Sequence, residues 1–551
     1  MKKKKESDLD FMDKFENFCK SRSSVILMVI LAIFSLMSFL LFSLRVSIGG
    51  DDSTYIIRAV NFLNEGSYPS FQGPVYPLFL SLFISVFGVK LGLLKLTSFA
   101  LMLTSMIGFY KVFKERIPYW LVFSTMLLLS ASSYFIFFTS QTYSEALFMA
   151  LQIPVFILLF KDVDSKEEFN WKRLIFIAGL IVISYLTRTV AIGTLIAVLV
   201  FYLINKNYKK AGAVLAGTVV LFFVFLLLKS LIWGNGMFDG GQASTLIYKH
   251  PYDKSQGLET FGGYLMRFVD NSNLYLGKQL LKMTGLKEAT SISYNVLITI
   301  MLYALFIFGF IKSFKENKYI QFTGIYVAVM LGITFVVLQK LWDQYRLIVP
   351  FFPFMLIMIF YSMNKIRQVF KLKLIGYAFI ALFAYSTLSS FVISFDNIDL
   401  MTLRRNIKGE KLLGYTDDWV NYLSMTEYVD DRLPKTAYVA VRKPNMASLY
   451  ANGRKFYGIY RFDTQDPDKL LQMLKDKNVT HIIMASLRKN PTVYNKQTIN
   501  TIQRYMYYIV QKYPDVFEVI HRIGEQEPAY LFKIHYDRLR INPELETETN
   551  Q

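Results

Sequence analysis

Long apolar runs separated by short charged segments fill the first 394 residues of the chain. An α-helix needs roughly 17–25 residues to cross a bilayer, and these runs reach or approach that length. A further apolar stretch, 76–88, is predicted to be a juxtamembrane helix within the first loop. The pattern predicts eleven membrane-spanning helices, at residues 24–44, 91–110, 118–133, 142–160, 173–187, 189–205, 211–233, 291–311, 319–338, 347–362 and 374–394.

The pattern changes after residue 394, where short apolar stretches alternate with polar ones. The segments TAYVAVR, KFYGIYRF and THIIMASL are typical of strands, and FEVIHRIG and AYLFKIH of a hairpin around EQEP. Strands alternating with helices predict a small α/β domain over 395–541, followed by a disordered tail, 542–551. The helices between the strands are predicted at 418–432, 445–451, 467–477 and 497–512.

Lysine and arginine are concentrated in alternate loops of the apolar region, which indicates that these loops lie on the cytoplasmic side. The net charge of +20 is therefore mostly a matter of topology and lipid contact, not a nucleic-acid footprint. We expect a plasma (inner) membrane protein with a basic cytoplasmic tail, 1–23, and a membrane domain, 24–394. Loops 45–90 and 234–290 and the C-terminal domain are expected outside. The basic loops are 2–22, 111–116, 161–173, 206–210, 312–318 and 365–373.

Several features argue against other site types. One cysteine, Cys19, allows no disulfide within the chain, and the four histidines have no HxxxH or HxxE spacing, so a His/Cys metal site is not expected. The Gly-rich segment GNGMFDGGQAS lacks the GxxxxGK[ST] pattern of a phosphate-binding loop. In the C-terminal domain, Arg442-Lys443-Pro444 and Arg454-Lys455 are interpreted as solvated basic surface.

Acidic residues follow the first span and begin the fourth. Asp51 and Asp52, with Tyr55, open the first external loop, and Glu145 begins the span 142–160. Ionisable groups where hydrocarbon begins are usually functional. Glu145 is equally explained as an acid favoured by a helix N-terminus. Adjacent residues cannot both point one way, so one of Asp51 and Asp52 is expected to be a base and the other structural or metal-binding.

Arginines mark two other places on the same side. Arg188 lies between two apolar runs, and either anchors the chain at the interface or binds a phosphate through its planar fork. The turn QKLWDQYRLIVPFFP carries Tyr345 and Arg346, and either contains a salt bridge from Asp343 to Lys340 or Arg346, or binds a lipid headgroup. Its two prolines are predicted to break the following helix.

External acids and arginines beside a membrane are suited to binding an isoprenoid-phosphate sugar as a substrate. Arginines would hold the phosphate as it leaves, and a carboxylate would take the proton of an acceptor hydroxyl. The alternative is a lipid-linked sugar flippase or multi-span transporter, which would need ionisable residues inside the helices and a repeat of two halves. A scaffold with an external binding domain would leave the acids without a role.

The chain resembles the GT-C glycosyltransferases of the protein O-mannosyltransferase and aminoarabinose transferase type, family 39 and relatives. The resemblance covers roughly 24–394 and depends on GDDSTYIIRAVNFLNEGSYP, GPVYPLFLSLFISVFG, TYSEAL, YLTRTVAIG and YRLIVPFFP. Where aminoarabinose transferases carry Lys-Pro-Pro, this chain has Gln72-Gly73-Pro74, which argues against that donor and against lipid A as acceptor.

The resemblance implies an inverting, polyprenyl-phosphate-sugar-dependent transferase acting on a lipid, glycan or protein acceptor, among membrane lipids and without nucleic acid. It implies a catalytic base at Asp51 or Asp52, supported by Tyr55. Glu145 corresponds to the second-loop acid, and contacts to the lipid phosphate fall on Arg188, Tyr345 and Arg346. A divalent metal is left open, with His250 as its one candidate ligand.

Overall fold

The structure is a computed structural model that describes residues 11–69, 73–165, 167–234, 246–251, 253–288, 290–371, 373–489 and 497–540. The predicted disordered tail 542–551, most of the Gly-rich segment and Gln72 lie outside these residues. The chain divides into two compact units. The helical unit comprises Met1–Ser43 and Ala59–Leu400, and the loop-and-sheet unit comprises Leu44–Arg58 and Met401–Gln551.

The helical unit is built from apolar helices joined by short turns. A π-helical turn, Tyr275–Gln279, lies in the long loop, and the unit boundary at Arg58 falls inside the helix Asp51–Glu65. The α-helices of the unit are Phe11–Ser21, Ser23–Leu40, Val75–Phe87, Leu91–Phe113, Tyr119–Ala131, Ser133–Ile136, Ser144–Asp164, Trp171–Thr187, Ile192–Ile204, Tyr208–Trp233, Phe261–Leu274, Leu280–Met283, Val296–Glu316, Lys318–Val337, Phe352–Phe370 and Lys373–Asp396. The 3₁₀ turns are Phe137–Ser140, Thr189–Ala191, Lys254–Gln256, Tyr345–Leu347 and Val349–Phe351.

All eleven predicted spans overlap helices, but their lengths differ from the prediction. In the described part of the chain, eight helices are long and apolar enough to cross a membrane, or nine if a bent pair is one span. That pair, Tyr119–Ala131 and Ser133–Ser140, bends by 74°. The helix Trp171–Thr187 has 17 residues and the apolar helix Thr189–Ile204 is also short. The chain is therefore a multi-pass membrane protein with fewer full-length spans than the eleven predicted.

Close helix contacts hold the unit together. A Cβ on Gly108 would lie 2.3 Å from Ile153 Cγ2, so the helices Leu91–Phe113 and Ser144–Asp164 approach closely at this glycine. Small residues at such contacts allow the packing that replaces hydrophobic burial within lipid. Aromatic rings fill the interior, for example Phe156 stacked on Phe354 with centroids 4.4 Å apart. These contacts fix the helix that carries Glu145.

The loop-and-sheet unit contains a five-stranded sheet, as the α/β pattern predicts. The strands are β1 (Tyr438–Val441), β2 (Phe456–Gly458), β3 (Val479–Ala485), β4 (Phe517–Ile523) and β5 (Ala529–Ile534), in the order β2-β1-β3-β5-β4. Strand β1 pairs in parallel with β2 and β3, whereas β5 pairs antiparallel with β3 and β4. The helices are Leu400–Ile407, Asp417–Arg432, Pro444–Tyr450, Pro467–Asp476 and Thr501–Lys512.

The interpretation of Arg454 as solvated surface is wrong. Its side chain is buried, and its guanidinium donates to four backbone carbonyls at 2.6–3.1 Å. The acceptors belong to Val429, Leu433, Pro434 and Ala437, at the end of one helix and in the turn before β1. Arg454 therefore connects these segments, and only its position in a basic sequence suggested exposure.

Candidate active site

Glu145, Arg188 and Arg346 form one cluster in the helical unit. Arg188 Nη1 lies 2.8 Å and Arg346 Nε 2.9 Å from the same carboxylate oxygen, Glu145 Oε1. Glu145 is fully buried, whereas both arginine side chains keep about a fifth or less of their surface exposed, 16% and 21%. The two positive charges and one negative charge leave the cluster with a net charge of +1.

Each member of this cluster lies at a helix end. Glu145 is the second residue of Ser144–Asp164, where the partial positive charge of the helix N-terminus favours an acid. Arg188 directly follows the helix Trp171–Thr187, and its Nη1 also donates to Ser144 Oγ at 3.1 Å. Arg346 lies in the 3₁₀ turn Tyr345–Leu347. The structure thus confirms Glu145 as a helix-initial acid and brings the two predicted arginines together on it.

Two polar residues of the span Leu91–Phe113 hold the loop that precedes Glu145. Buried Lys95 donates through Nζ to Ser140 O at 2.8 Å, and Ser98 Oγ donates to Gln141 O at 2.6 Å. The sequence analysis missed Lys95. A single lysine inside an otherwise apolar span was the available signal, because such residues usually have a partner or a function.

Aromatic rings lie beside Arg346 and its neighbour Tyr345. Arg346 lies over the ring of Tyr143, with 4.8 Å from Cζ to the ring centroid, an arrangement that favours a cation. Half-buried Tyr345 packs edge-on against Tyr134, with centroids 4.8 Å apart, and against Phe137 and Phe138. Burial raises the pKa of Tyr345 above its usual range, so its hydroxyl stays protonated at neutral pH.

The turn before Arg346 contains neither of the salt bridges considered for it. Asp343 pairs with Lys278 and accepts a hydrogen bond from Gln279, both in the π-helical turn Tyr275–Gln279. Lys340 pairs instead with Asp270. The prolines do not break the next helix, since Pro353 lies in its first turn. The long loop therefore positions the turn that presents Arg346, and π-helical turns are frequent at such functional sites.

Gly73 is required by a close approach. A Cβ there would lie 2.1 Å from Leu186 O and 2.5 Å from Thr187 O, so any larger residue would collide with backbone. Gly73 stands at the position of the first proline in the Lys-Pro-Pro of the aminoarabinose transferases that this chain resembles. The chain returning from the first loop consequently packs on the residues just before Arg188.

Asp51 and Asp52 belong to the loop-and-sheet unit and differ in their surroundings. They begin the helix Asp51–Glu65, after Gly50, whose φ of +88° suits a residue without a Cβ. Asp52 is fully buried and accepts the backbone N–H of Ser47 at 3.2 Å. Asp51 is half-buried. Tyr55, predicted to support the acids, is buried one turn further along.

Residues after position 400 hold the segment that carries the acids. Tyr415 donates to Val46 O at 2.7 Å, and Asn445 Nδ2 donates to Thr54 Oγ1 at 3.0 Å. Lys443 donates through Nζ to Gly49 O at 3.1 Å. Arg45 donates in turn to Gly414 O. Residues Leu44–Arg58 and the chain after Leu400 therefore form one folded body around Asp51 and Asp52.

Lys443 lies close enough to Asp51 for the two charges to interact. Burial, with a smaller contribution from the charge of Arg442, lowers the pKa of Lys443 to about 8, and Asp51 acts in the opposite direction. Lys443 therefore titrates close to physiological pH. The interpretation of this lysine as solvated surface is wrong, because it contacts the backbone directly before the acids.

Within the described residues, no three His, Cys, Asp or Glu side chains lie close enough together to share a metal ion. His250 is described, in the loop before the 3₁₀ turn Lys254–Gln256, and joins no such group. The metal candidate at His250 thus gains no supporting ligands from this part of the chain.

Comparisons with known proteins bear on the fold and on part of the sequence. Residues 71–233 match the family model described as dolichyl-phosphate-mannose-protein mannosyltransferase. This range includes Glu145 and Arg188 and ends before Arg346. The comparison with curated proteins gave no match.

Two crystal structures of an oligosaccharyltransferase from Archaeoglobus fulgidus resemble the chain. One, a complex with Zn and sulfate, aligns with a TM-score of 0.52 and 11% identity, over 82% of this chain and 67% of that one. The other, tethered through a disulfide to an acceptor peptide containing the NVT sequon, aligns with a TM-score of 0.53 and 10% identity, over 96% and 76%. At these identities the likeness concerns the fold alone.

Proposed function

The chain has the fold of GT-C glycosyltransferases, and from this premise we propose that it transfers a sugar from a polyprenyl-phosphate donor to an acceptor hydroxyl, with inversion. The reaction takes place on the outer face of the membrane, where the charge pattern puts the first loop and the C-terminal domain. The N-terminus is then cytoplasmic, and the acceptor is a lipid, glycan or protein.

The observation that carries this proposal is the shared use of one Glu145 oxygen by two arginines. Within the described residues, the guanidinium of Arg188 donates only through Nη1, so its Nη2 and Nε can bind a further acceptor. A phosphate is such an acceptor, because its oxygens match the planar fork of a guanidinium. The net charge of +1 that Glu145 leaves attracts an anion, and the carboxylate prevents the two buried cations from repelling each other.

Of the two adjacent acids, Asp51 is better placed than Asp52 to act as the general base. It is half-buried and so accessible to a hydroxyl group, whereas Asp52 is fully buried and accepts the N–H of Ser47. Asp51 accepts the proton of the acceptor hydroxyl, and the acceptor oxygen attacks the anomeric carbon. The bond from that carbon to the phosphate oxygen breaks, and its electron pair leaves with the phosphate. Arg188 and Arg346 stabilise the charge that develops there.

The test is transfer by the purified full-length protein, given labelled polyprenyl-phosphate sugars and extracted envelope acceptors. We expect a labelled product with the opposite anomeric configuration. Arg188→Ala should abolish most transfer at low donor concentration. Arg116→Ala is the matched control, because Arg116 is also ion-paired, with Asp164 at 2.6 Å, but in a loop predicted to be cytoplasmic.

A flippase would give a different result. The same protein in liposomes would then move the labelled lipid between leaflets and would form no glycosylated product with any acceptor. That outcome would overturn the proposed transferase activity. Product of retained configuration would overturn only the inverting mechanism.

A further inference from the structure

The helix Leu400–Ile407 follows the last membrane span almost directly. That span is the helix Lys373–Asp396, and its apolar segment of 23 residues covers about 35 Å at 1.5 Å per residue. This length matches the hydrocarbon core of a bilayer, roughly 30 Å thick, so the span ends near the membrane surface. Four residue steps lead from Asp396 to Leu400, and an extended chain of that length reaches at most about 14 Å. The helix therefore begins in or beside the lipid headgroup layer.

The helix has one side that the protein binds and one side that it leaves open. Arg405 Nε donates to Glu410 Oε1 at 2.9 Å, and Asn406 Nδ2 donates to Glu410 O at 2.7 Å. These bonds attach one side of the helix to the turn that follows it. Leu400 and Ile407 lie seven residues apart and so share the other side, where they are 50% and 70% exposed. Two large apolar side chains are thus presented away from the folded unit.

This apolar side takes no part in the core of the loop-and-sheet unit. No residue of Leu400–Ile407 is buried, whereas each of the other four helices of the unit buries at least three residues. Its exposure resembles that of the end of the last span, where Val392 and Phe395 are 60% and 54% exposed and face lipid. The helix therefore continues an apolar surface that the span already presents to the membrane.

A cation accompanies the apolar side chains. Arg404 lies between Leu400 and Ile407 at helical spacing and is exposed. In the part of the chain that the structure describes, its guanidinium makes no hydrogen bond and no ion pair. A long side chain of this kind can follow an apolar surface and place its charge among lipid phosphates. Amphipathic helices with apolar and basic residues combined in this way lie in the plane of the membrane interface.

We propose that the helix Leu400–Ile407 lies in the headgroup layer of the leaflet in which the last span ends, with phospholipid as its partner. Leu400, Met401 and Ile407 contact the upper part of the acyl chains, and Arg404 binds lipid phosphate. The helix thereby attaches the start of the C-terminal domain to the membrane surface. This inference does not depend on the proposed transferase activity, because it uses no residue of the candidate active site.

The first experiment places one environment-sensitive fluorophore on the full-length protein in liposomes. Cys19 is the only cysteine of the chain, so Cys19→Ser provides a background for single cysteines. Ile407→Cys tests the helix. Val392→Cys is the control for contact with lipid. Tyr507→Cys, 59% exposed in the helix Thr501–Lys512, is the control for an exposed position in the same unit.

We expect spin-labelled lipids to quench the fluorophore at Ile407 and at Val392 but not at Tyr507. At Ile407, a spin label near the headgroup should quench more than one at the chain end, because an interfacial helix reaches only roughly 5–10 Å into the boundary between headgroups and acyl chains. Equal quenching at Ile407 and Tyr507, whether strong or absent, would overturn the proposal. A fluorophore at Ile407 that is shielded from iodide in the water but not quenched by lipid would also overturn it, because protein would then cover this side. Should Ile407→Cys fail to fold, Met401→Cys, at a position 69% exposed, decides in its place.

The second experiment tests Arg404 in liposomes that contain phosphatidylglycerol, an anionic phospholipid. One cation beside an anionic membrane surface changes binding about fivefold, so Arg404→Gln should raise the unquenched fraction of the Ile407 fluorophore about fivefold. The fraction is obtained from fluorescence lifetimes. Arg432→Gln is the matched control, because Arg432 is also exposed and ends the helix Asp417–Arg432. An unchanged fraction in Arg404→Gln would overturn the role given to Arg404.

Discussion

The cluster around Glu145 and the cluster around Asp51 both combine an acid at a helix start with basic residues, yet the acids differ in what they can do. Glu145 is fully buried and two arginines share one of its oxygens. Asp51 is half-buried, and the ammonium group of Lys443, which donates to Gly49 O, is close enough to interact with it. Glu145 is thus committed to holding cations, whereas Asp51 is the acid that we propose takes up a proton.

This difference shows that an acid in an external loop of a membrane protein cannot be assigned a role from its position alone. Both were predicted as catalytic candidates on the same grounds. The contacts of Glu145 favour a positioning role, in which it holds Arg188 and Arg346 for a phosphate. We therefore expect a change at Glu145 to lower the stability of the fold, and a change at Asp51 to lower the rate of transfer.

The largest effect is expected from Glu145→Gln. This change leaves two mostly buried arginines without their carboxylate, and breaking a buried ion pair in this way costs about 3–5 kcal/mol. We expect a strongly lowered thermal transition in detergent, or loss of folded protein. The control is Glu316→Gln, which removes an ion pair with Lys365 whose side chains are 39% and 20% exposed. It should cost at most about 1 kcal/mol. Equal stability of the two variants would show that Glu145 does not hold the arginines.

Asp51→Asn should instead leave the thermal transition unchanged and lower the transfer rate by about 10²-fold or more, the usual scale for a lost general base. The measurement is the rate at saturating donor and acceptor. Wild-type rates in this variant would exclude Asp51 as the base.

The variant Asp52→Ala distinguishes the role of Asp52 from that of Asp51. It leaves the partly buried backbone N–H of Ser47 without its acceptor, which costs about 1 kcal/mol of stability. Rate per folded molecule should change less than in Asp51→Asn. A larger loss of rate in Asp52→Ala, with unchanged stability, would exchange the roles given to the two acids.

Arg188→Lys tests the phosphate site with a smaller change. Lysine keeps the charge but not the planar fork, so donor affinity should fall less than in Arg188→Ala, where a charged hydrogen bond of roughly 1.5–3 kcal/mol is lost. Transfer is measured against donor concentration at fixed acceptor, for both variants and for the same pair at Arg346. If all four variants depend on donor concentration as the wild type does, Arg188 does not bind the donor phosphate and only anchors the chain at the membrane interface.

Local patterns in the sequence were sufficient for the elements. Apolar runs predicted the helices, and period-two stretches predicted all five strands of the sheet within one to three residues at most ends. The reason is that the periodicity of a helix or a strand depends on residues that are close together in the sequence. Length was less predictable, since the bend of 74° after Ala131 and the short helices after Asn170 depend on their neighbours.

Five residues could be selected from the sequence because charge is rare beside apolar runs, namely Asp51, Asp52, Glu145, Arg188 and Arg346. The sequence could not predict which of these residues would pair with one another. Glu145 and Arg346 are 201 residues apart, and only the packing of their helices brings the side chains to 2.9 Å. The same holds for Lys443, which lies 394 residues from Gly49 and looked like basic surface. The sequence alone determined which residues carry charge and where elements begin, whereas tertiary structure decided which charges meet, because burial and pairing depend on contacts between distant segments.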